Sequence, residues 1–220
     1  PVKALLSIML TLIIMPVVPP SPITQLVDVG TFVLGIQQLV IGLAIGFVSM
    51  MVLNTFVLAG QVIAMQTGLG FASIVDPVNG INVPAVGQFY LILATLLFWT
   101  LDGHLSMIQM IVMSFHAFPV GEAWWSAEQF QSIAHWGGWM FVSALTLSLA
   151  PIVSLLIVNL AFGVMTKAAP QLNIFSIGFS IAQVMGLFII WITLDNFTAH
   201  FETQWYRAEQ FMCQLLRICP

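Results

Sequence analysis

Charge is what this sequence lacks. Only 5% of its 220 residues are charged, four Lys or Arg and eight Asp or Glu, while 60% are hydrophobic. A soluble domain carries about 25% charged residues, so this chain has too few to cover itself in water. Those it has are badly spread for a wetted surface, with none between Asp28 and Asp76, between Glu128 and Lys167, or between Lys167 and Asp195. Each gap can hold the roughly 20 apolar residues with which a helix crosses a hydrocarbon layer about 30 Å thick. Backbone in lipid must satisfy its own hydrogen bonds, which leaves helices or closed barrels. These runs far exceed barrel strands of roughly 10 residues, and helices follow.

Other absences narrow the function. There is no basic stripe for nucleic acid and no polybasic cluster for anionic lipid. No His-Glu-x-x-His or Gly-x-Ser-x-Gly is present, and the four histidines, His104, His116, His135 and His200, fall in separate segments. Asp102-Gly103-His104 can be read as an acid–base pair, but catalysis normally needs a third orienting group; a helix break with Asp102 capping the next helix is the plainer reading. The two cysteines, Cys213 and Cys219, match no metal pattern. Six residues apart on one helix they would face different ways, so no intrahelical disulfide is expected. The sequence therefore predicts an all-α membrane protein of long, kinked helices, with no catalytic residues, no metal and no cofactor.

What is present sets the organisation. The chain starts Pro1-Val2-Lys3 without a methionine, which reads as a natural N-terminus that is lacking. A first helix is expected from about Lys3 to Met15, stopped by Pro16, Pro19, Pro20 and Pro22. A second runs from about Val27 toward Met65, and Gly35, Gly42, Gly46 and Gly60 share one face of it. Gly42-xxx-Gly46 is a close-packing motif, which suits ordinary packing in lipid or docking on another subunit. Helices are also expected over about Ala85–Leu101, on to Ala117, and from about Glu128 to Thr166 with Pro151 as a kink. Glu122 and Trp124-Trp125 fit an interfacial belt. A tight turn at Lys167, Pro170 and Gln171 leads to a return helix over about Ile174–Leu194, making a hairpin. In the tail, Phe197, Phe201, Trp205, Ala208, Phe211 or Met212, and Leu215 line one face, which could lie on a bilayer or pack on a partner.

Between Gln66 and Pro84 the helical pattern breaks. Gly68, Gly70, Pro77, Gly80 and Pro84 lie among Phe71, Ile74, Val75 and Ile81. Glycine permits positive φ, and Asp76 before Pro77 is driven out of the α region. Asp76 suits a turn-former better than a proton carrier. Non-helical backbone at membrane depth survives only inside protein or beside water, so this is the most informative stretch of the chain. The other intramembrane polar groups are amides, Gln37, Gln38, Asn54, Gln61, Gln66, Asn159 and Gln183, which join helices without carrying charge. The twelve methionines suit core filling, or a surface that yields to varied cargo.

The run Met65-Gln66-Thr67-Gly68-Leu69-Gly70-Phe71-Ala72-Ser73-Ile74-Val75-Asp76-Pro77 resembles the signature of the FliR family of flagellar biosynthetic proteins. Lys3 leading into Pro16, Leu101-Asp102-Gly103-His104, and Asn159–Gly163 through Ala169–Phe175 agree in order and spacing. The resemblance implies an export-gate subunit of type III secretion, similar to a fusion of its partners FliP and FliQ. It implies a FliP-like part over residues 1–128 and a FliQ-like hairpin with an amphipathic tail over residues 129–220. The stretch 66–84, with Gly68, Gly70, Phe71, Ile74, Asp76 and Pro77, corresponds to a plug loop closing the channel at rest. The implied partners are FliP, FliQ and an FlhB-like protein, with unfolded exported proteins as cargo and lipid around it. The implied place is the bacterial inner membrane, within the flagellar basal body. Injectisome homologues share the pattern. Apolar side chains at a constriction can gate by dewetting, and Phe71 and Ile74 are placed for that. A naive count of spans puts Lys3 and Lys167 on opposite sides, against the positive-inside tendency; half-spans near Asp102 or a gate raised partly out of the bilayer would remove the conflict. A different class, a small-solute transporter with a broken-helix site, would call for inverted repeats, and none is visible.

Overall fold

The computed structural model describes residues 2–19, 28–71, 73–75, 82–121, 125–168 and 174–219. It is all-α apart from one minimal strand pair. Helix α1 spans Val2–Ile14, α2 Val29–Thr67, α3 Ala85–Thr100, α4 Gly103–Ala117, α5 Ala127–Ala168, α6 Ile174–Thr193 and α7 Phe197–Leu215. Between α2 and α3 lie a 3-10 turn, Leu69–Phe71, and strands β1 (Ser73–Val75) and β2 (Asn82–Pro84). A second 3-10 turn, Leu194–Asn196, joins α6 to α7.

Among the described residues three stretches are long and apolar enough to cross a membrane: Val29–Thr67, Ala127–Met165 and Ser180–Leu215. The pair α3 and α4 makes a fourth if counted as one broken span. The residues that bury in α2 include Ile41, Ile45, Val48, Val52, Phe56, Ala59 and Ile63. Their spacing of three and four residues is the helical period. Exposed positions of the same helix, such as Phe32, Leu39, Leu43 and Met50, are equally apolar. That is the signature of a helix facing lipid or another protein rather than water.

The chain divides into two compact units. The first comprises Pro1–Met50, Asp102–Trp136 and Tyr206–Pro220, and the second Met51–Leu101 and Gly137–Trp205. In the second unit an aromatic cluster forms the core. Phe56 of α2 lies 5.0 Å from Phe197 and 5.6 Å from Phe201, ring centre to ring centre, and Tyr90 stacks on Phe197 at 5.3 Å. Phe98 meets Trp205 edge-on at 4.9 Å. In the first unit Trp136 stacks on Phe211 at 4.5 Å, and the Ser49 hydroxyl lies 3.9 Å from the Met212 sulfur.

Three expectations change here. The tail helix neither lies on a bilayer nor awaits a partner with its apolar face. Phe197, Phe201, Trp205, Ala208, Met212 and Leu215 are all buried within the chain, because α2, α3 and α5 supply aromatic and aliphatic surface for them. Trp125 is 3% exposed and packs edge-on against Phe118 and Phe130, so it is core and not an interfacial belt; Glu122 and Trp124 lie outside the described residues. Lys167 is still helical, in the last turn of α5. It is not part of a tight turn, and Pro170 and Gln171 lie outside the described residues. Helix α5 runs through the fully buried Pro151.

Candidate functional site

Helix α2 stops at Thr67 for a local reason. The Thr67 hydroxyl donates to the Ala64 carbonyl at 3.1 Å and accepts from the Leu69 N–H at 3.3 Å, taking over where the helical ladder ends. Gly68 then adopts φ 74°, the left-handed region that glycine enters without penalty. Gly70 is not under that demand: an added Cβ would lie 3.4 Å from the nearest atom, the Met65 Cα, an ordinary contact. Phe71 closes the 3-10 turn, and Ile74 sits at the centre of β1, opposite Val83 in an antiparallel pair. Asp76 and Pro77 lie outside the described residues. The strand pair was missed from the sequence, although Asn79-Gly80 between two β-branched runs is a hairpin signal. At the foot of this segment an apolar hollow of about 360 Å³ is lined by Leu69, Val86, Phe89, Leu187, Trp191 and Leu194.

The four glycines of α2 meet different surroundings. Gly60 is buried, and a Cβ built on it would come 2.7 Å from the Gly87 Cα and 2.9 Å from the Val86 carbonyl oxygen. Two glycines thus face each other where α2 crosses α3. Gly35, Gly42 and Gly46 have nothing within 4 Å of that position. Beside Gly42 and Gly46 runs an apolar groove of about 770 Å³, bordered by Leu43, Phe47, Met50, Phe130 and Ile133. A further close approach, absent from the sequence reading, joins α2 to α6: the Thr67 side chain sits directly against Gly186.

One buried amide ties two helix ends together. Ser126 precedes α5, and its N–H donates to Gln129 Oε1 at 2.7 Å, half of a capping box. Gln129 Nε2 in turn donates to the Leu215 carbonyl at 3.2 Å, one of the orphan acceptors at the end of α7. Past Leu215 the chain folds back. Arg217 takes φ 53°, its N–H bonds the Gln214 carbonyl at 3.1 Å, and the Ile218 N–H bonds the Cys213 carbonyl at 3.0 Å. Those two bonds define a Schellman cap with arginine where glycine is usual.

This cap corrects the cysteine reading. Cys213 and Cys219 form a disulfide, with Cα atoms 5.3 Å apart. The expectation assumed one continuous helix, whereas the left-handed Arg217 returns Cys219 to the last turn. Asp102 is a second correction. It stands just before α4 in the left-handed region, φ 56°, with its carbonyl accepting from Leu105 and Ser106. Its carboxylate makes no capping bond, because a capping side chain normally projects from β-region backbone.

Comparison with known proteins matches residues 1–208 to bacterial export proteins, family 1. The flagellar biosynthetic protein FliR of Pectobacterium carotovorum is 37% identical over 193 residues, which is 88% of this chain and 74% of that protein. FliR of Escherichia coli is 36% identical, covering 84% of this chain and 71% of its own length. The surface presentation of antigens protein SpaR of Shigella flexneri is 24% identical over 76% of this chain and 66% of its own.

Proposed function

The chain belongs to family 1 of the bacterial export proteins, and from that premise we propose that it is the FliR-type subunit of a flagellar export gate in the inner membrane. It is a membrane component of the type III export apparatus and not an enzyme. In this reading it joins FliP- and FliQ-like proteins, beside an FlhB-like protein, to form the channel through which unfolded flagellar subunits leave the cell. The observation that carries it is 37% identity to a FliR sustained over 88% of the chain. The FliR relatives span 25–37% identity and SpaR stands at 24%; the 36–37% matches are to flagellar proteins, which favours the flagellar system.

The geometry supports specific roles. Between α2 and α3, both apolar, the described residues are a left-handed Gly68, a 3-10 turn and two three-residue strands. That suits a plug built on Gly68, Gly70, Phe71, Ile74, Asp76 and Pro77, since irregular backbone in a membrane belongs beside protein or water. The open glycines, Gly35, Gly42 and Gly46, suit close docking of a partner helix. The likeness to a FliP–FliQ fusion divides the chain at residues 128 and 129, with the turn near Lys167, Pro170 and Gln171 closing the FliQ-like hairpin.

Gentle solubilisation followed by native mass spectrometry tests the reading. The chain is expected to emerge with FliP-like and FliQ-like proteins, each in excess over it, because one fused-like subunit closes a ring of many. A stable monomer that moves a small solute in liposomes would overturn it. Deleting Phe71–Pro77 should leave an assembled gate that leaks ions, read as membrane conductance. Unchanged permeability with intact assembly would remove the plug role.

A further inference from the structure

Helix α6 and helix α7 follow one another yet suit different solvents. The exposed side chains of α6 include Ile181, Val184, Leu187, Phe188, Trp191 and Ile192. From Asp195 onward the exposed positions turn polar: Asn196, His200, Glu202, Arg207, Gln210 and Gln214. The 20 residues of α6 rise about 30 Å, the thickness of a hydrocarbon core. Helix α5 repeats the change in reverse order, exposing Glu128, Gln131 and His135 near its start and Phe141, Val142, Leu145 and Leu149 further on. The polar ends of α5 and α7 belong to the same compact unit and share the Gln129–Leu215 hydrogen bond.

Basic residues do not choose an orientation for the α6 span. Lys167 precedes it and Arg207 follows it, each within the 15–20 residues or so over which the positive-inside bias is counted. The disulfide does choose. Bonds of this kind persist in oxidising compartments and are rare where glutathione and thioredoxin keep thiols reduced.

We propose that the Leu194–Asn196 turn marks a membrane surface, that α7 stands in water on the oxidising side, and that the Cys213–Cys219 disulfide, formed there, clamps its C-terminal cap. The two thiols lose two protons and two electrons as the sulfur–sulfur bond forms. The electrons pass by thiol–disulfide exchange to a disulfide-carrying oxidant of the cell envelope, which is left as a dithiol. The clamp has a local purpose. Arg217 occupies the left-handed position that glycine fills more readily, and the disulfide holds the residues on either side of it. The Leu215 carbonyl, to which Gln129 is anchored, is held with them. This inference does not rest on the export-gate reading.

The test uses the full chain in its native membrane. In spheroplasts a membrane-impermeant maleimide should give no gel shift until an impermeant reductant is added, and then should label both cysteines. Labelling without reductant, or only after lysis, would overturn the proposal. A Gln210→Cys probe in a Cys213→Ser, Cys219→Ser background separates position from pairing. It should label as fully in spheroplasts as after lysis, and protection before or after lysis would place α7 away from external water. For the clamp, reduction of the purified full chain should abolish the slow hydrogen exchange of the Arg217 and Ile218 amides. Unchanged protection would show that the cap holds without the disulfide. The gate reading stands or falls separately, on which proteins co-purify.

Discussion

Gly42 and Gly60 lie on one face of one helix, eighteen residues apart, and in the sequence they are the same signal. In the structure Gly60 is filled by Gly87 and Tyr90, while Gly42 is open. A small residue on an apolar helix permits close approach and does not say whether anything has approached. Where the neighbour belongs to the same chain, the contact is already made in the second unit. Where it is open, beside an apolar groove, the surface suits another protein of the export apparatus.

Substitutions at glycines of α2 and α6 can break that contrast. The largest effect is expected at Gly60→Leu. Its side chain would drive into the Gly87 backbone and the Val86 carbonyl, neither of which can rotate aside. The cost should reach or exceed the roughly 1–3 kcal/mol usual for overpacking. Loss of monodisperse protein in size-exclusion chromatography, or a lower unfolding midpoint in detergent, would report it; wild-type behaviour would mean that α2 and α3 do not cross there.

A smaller effect is expected at Gly186→Ala. The obstacles are the Thr67 methyl and Cβ. The methyl can turn away, though doing so disrupts the hydroxyl bonds to Ala64 and Leu69, while the Cβ yields only with a small shift of the backbone. A loss of about 1–2 kcal/mol is expected from a hydroxyl bond and a modest overpack. Pairing it with Thr67→Ser, which removes the obstructing methyl and keeps the hydroxyl, should restore part of that loss in a thermal melt. No rescue would place the strain elsewhere.

The smallest effect on the chain itself is expected at Gly42→Leu. No atom lies within 4 Å of the new Cβ, so the unfolding midpoint should stay near wild type. Recovery of the assembled complex should fall, because a partner helix could no longer approach the backbone. Normal yield of complex would show that this face is not a tight contact.

Much of the helical framework was legible before the structure. The charge gaps marked the apolar runs, Pro16 ended α1, and the glycines after Thr67 ended α2. The tail's pattern also identified the face of α7 that buries, because its other face is polar and the contrast is visible. In α2 no such contrast exists. Ile41, Ile45 and Val48 are buried and Leu39, Leu43 and Met50 are exposed, yet all are apolar. A lipid-facing side chain obeys the same preference as a core one, so the buried stripe cannot be read from composition.

The sequence by itself determined that this chain is a helical membrane protein, where its helices break, and, through its motifs, which family it joins. Only tertiary structure decided which glycine is occupied, where the tail helix packs, and that Cys219 meets Cys213. The physical reason is shared by all three. Helix formation and burial in lipid depend on residues near one another in the chain, whose chemistry can be read in order. Gly60 against Gly87, Phe201 against Phe56 and Gln129 against Leu215 depend on which distant surfaces arrive together. The disulfide depends on one backbone angle at Arg217, which an arginine does not announce.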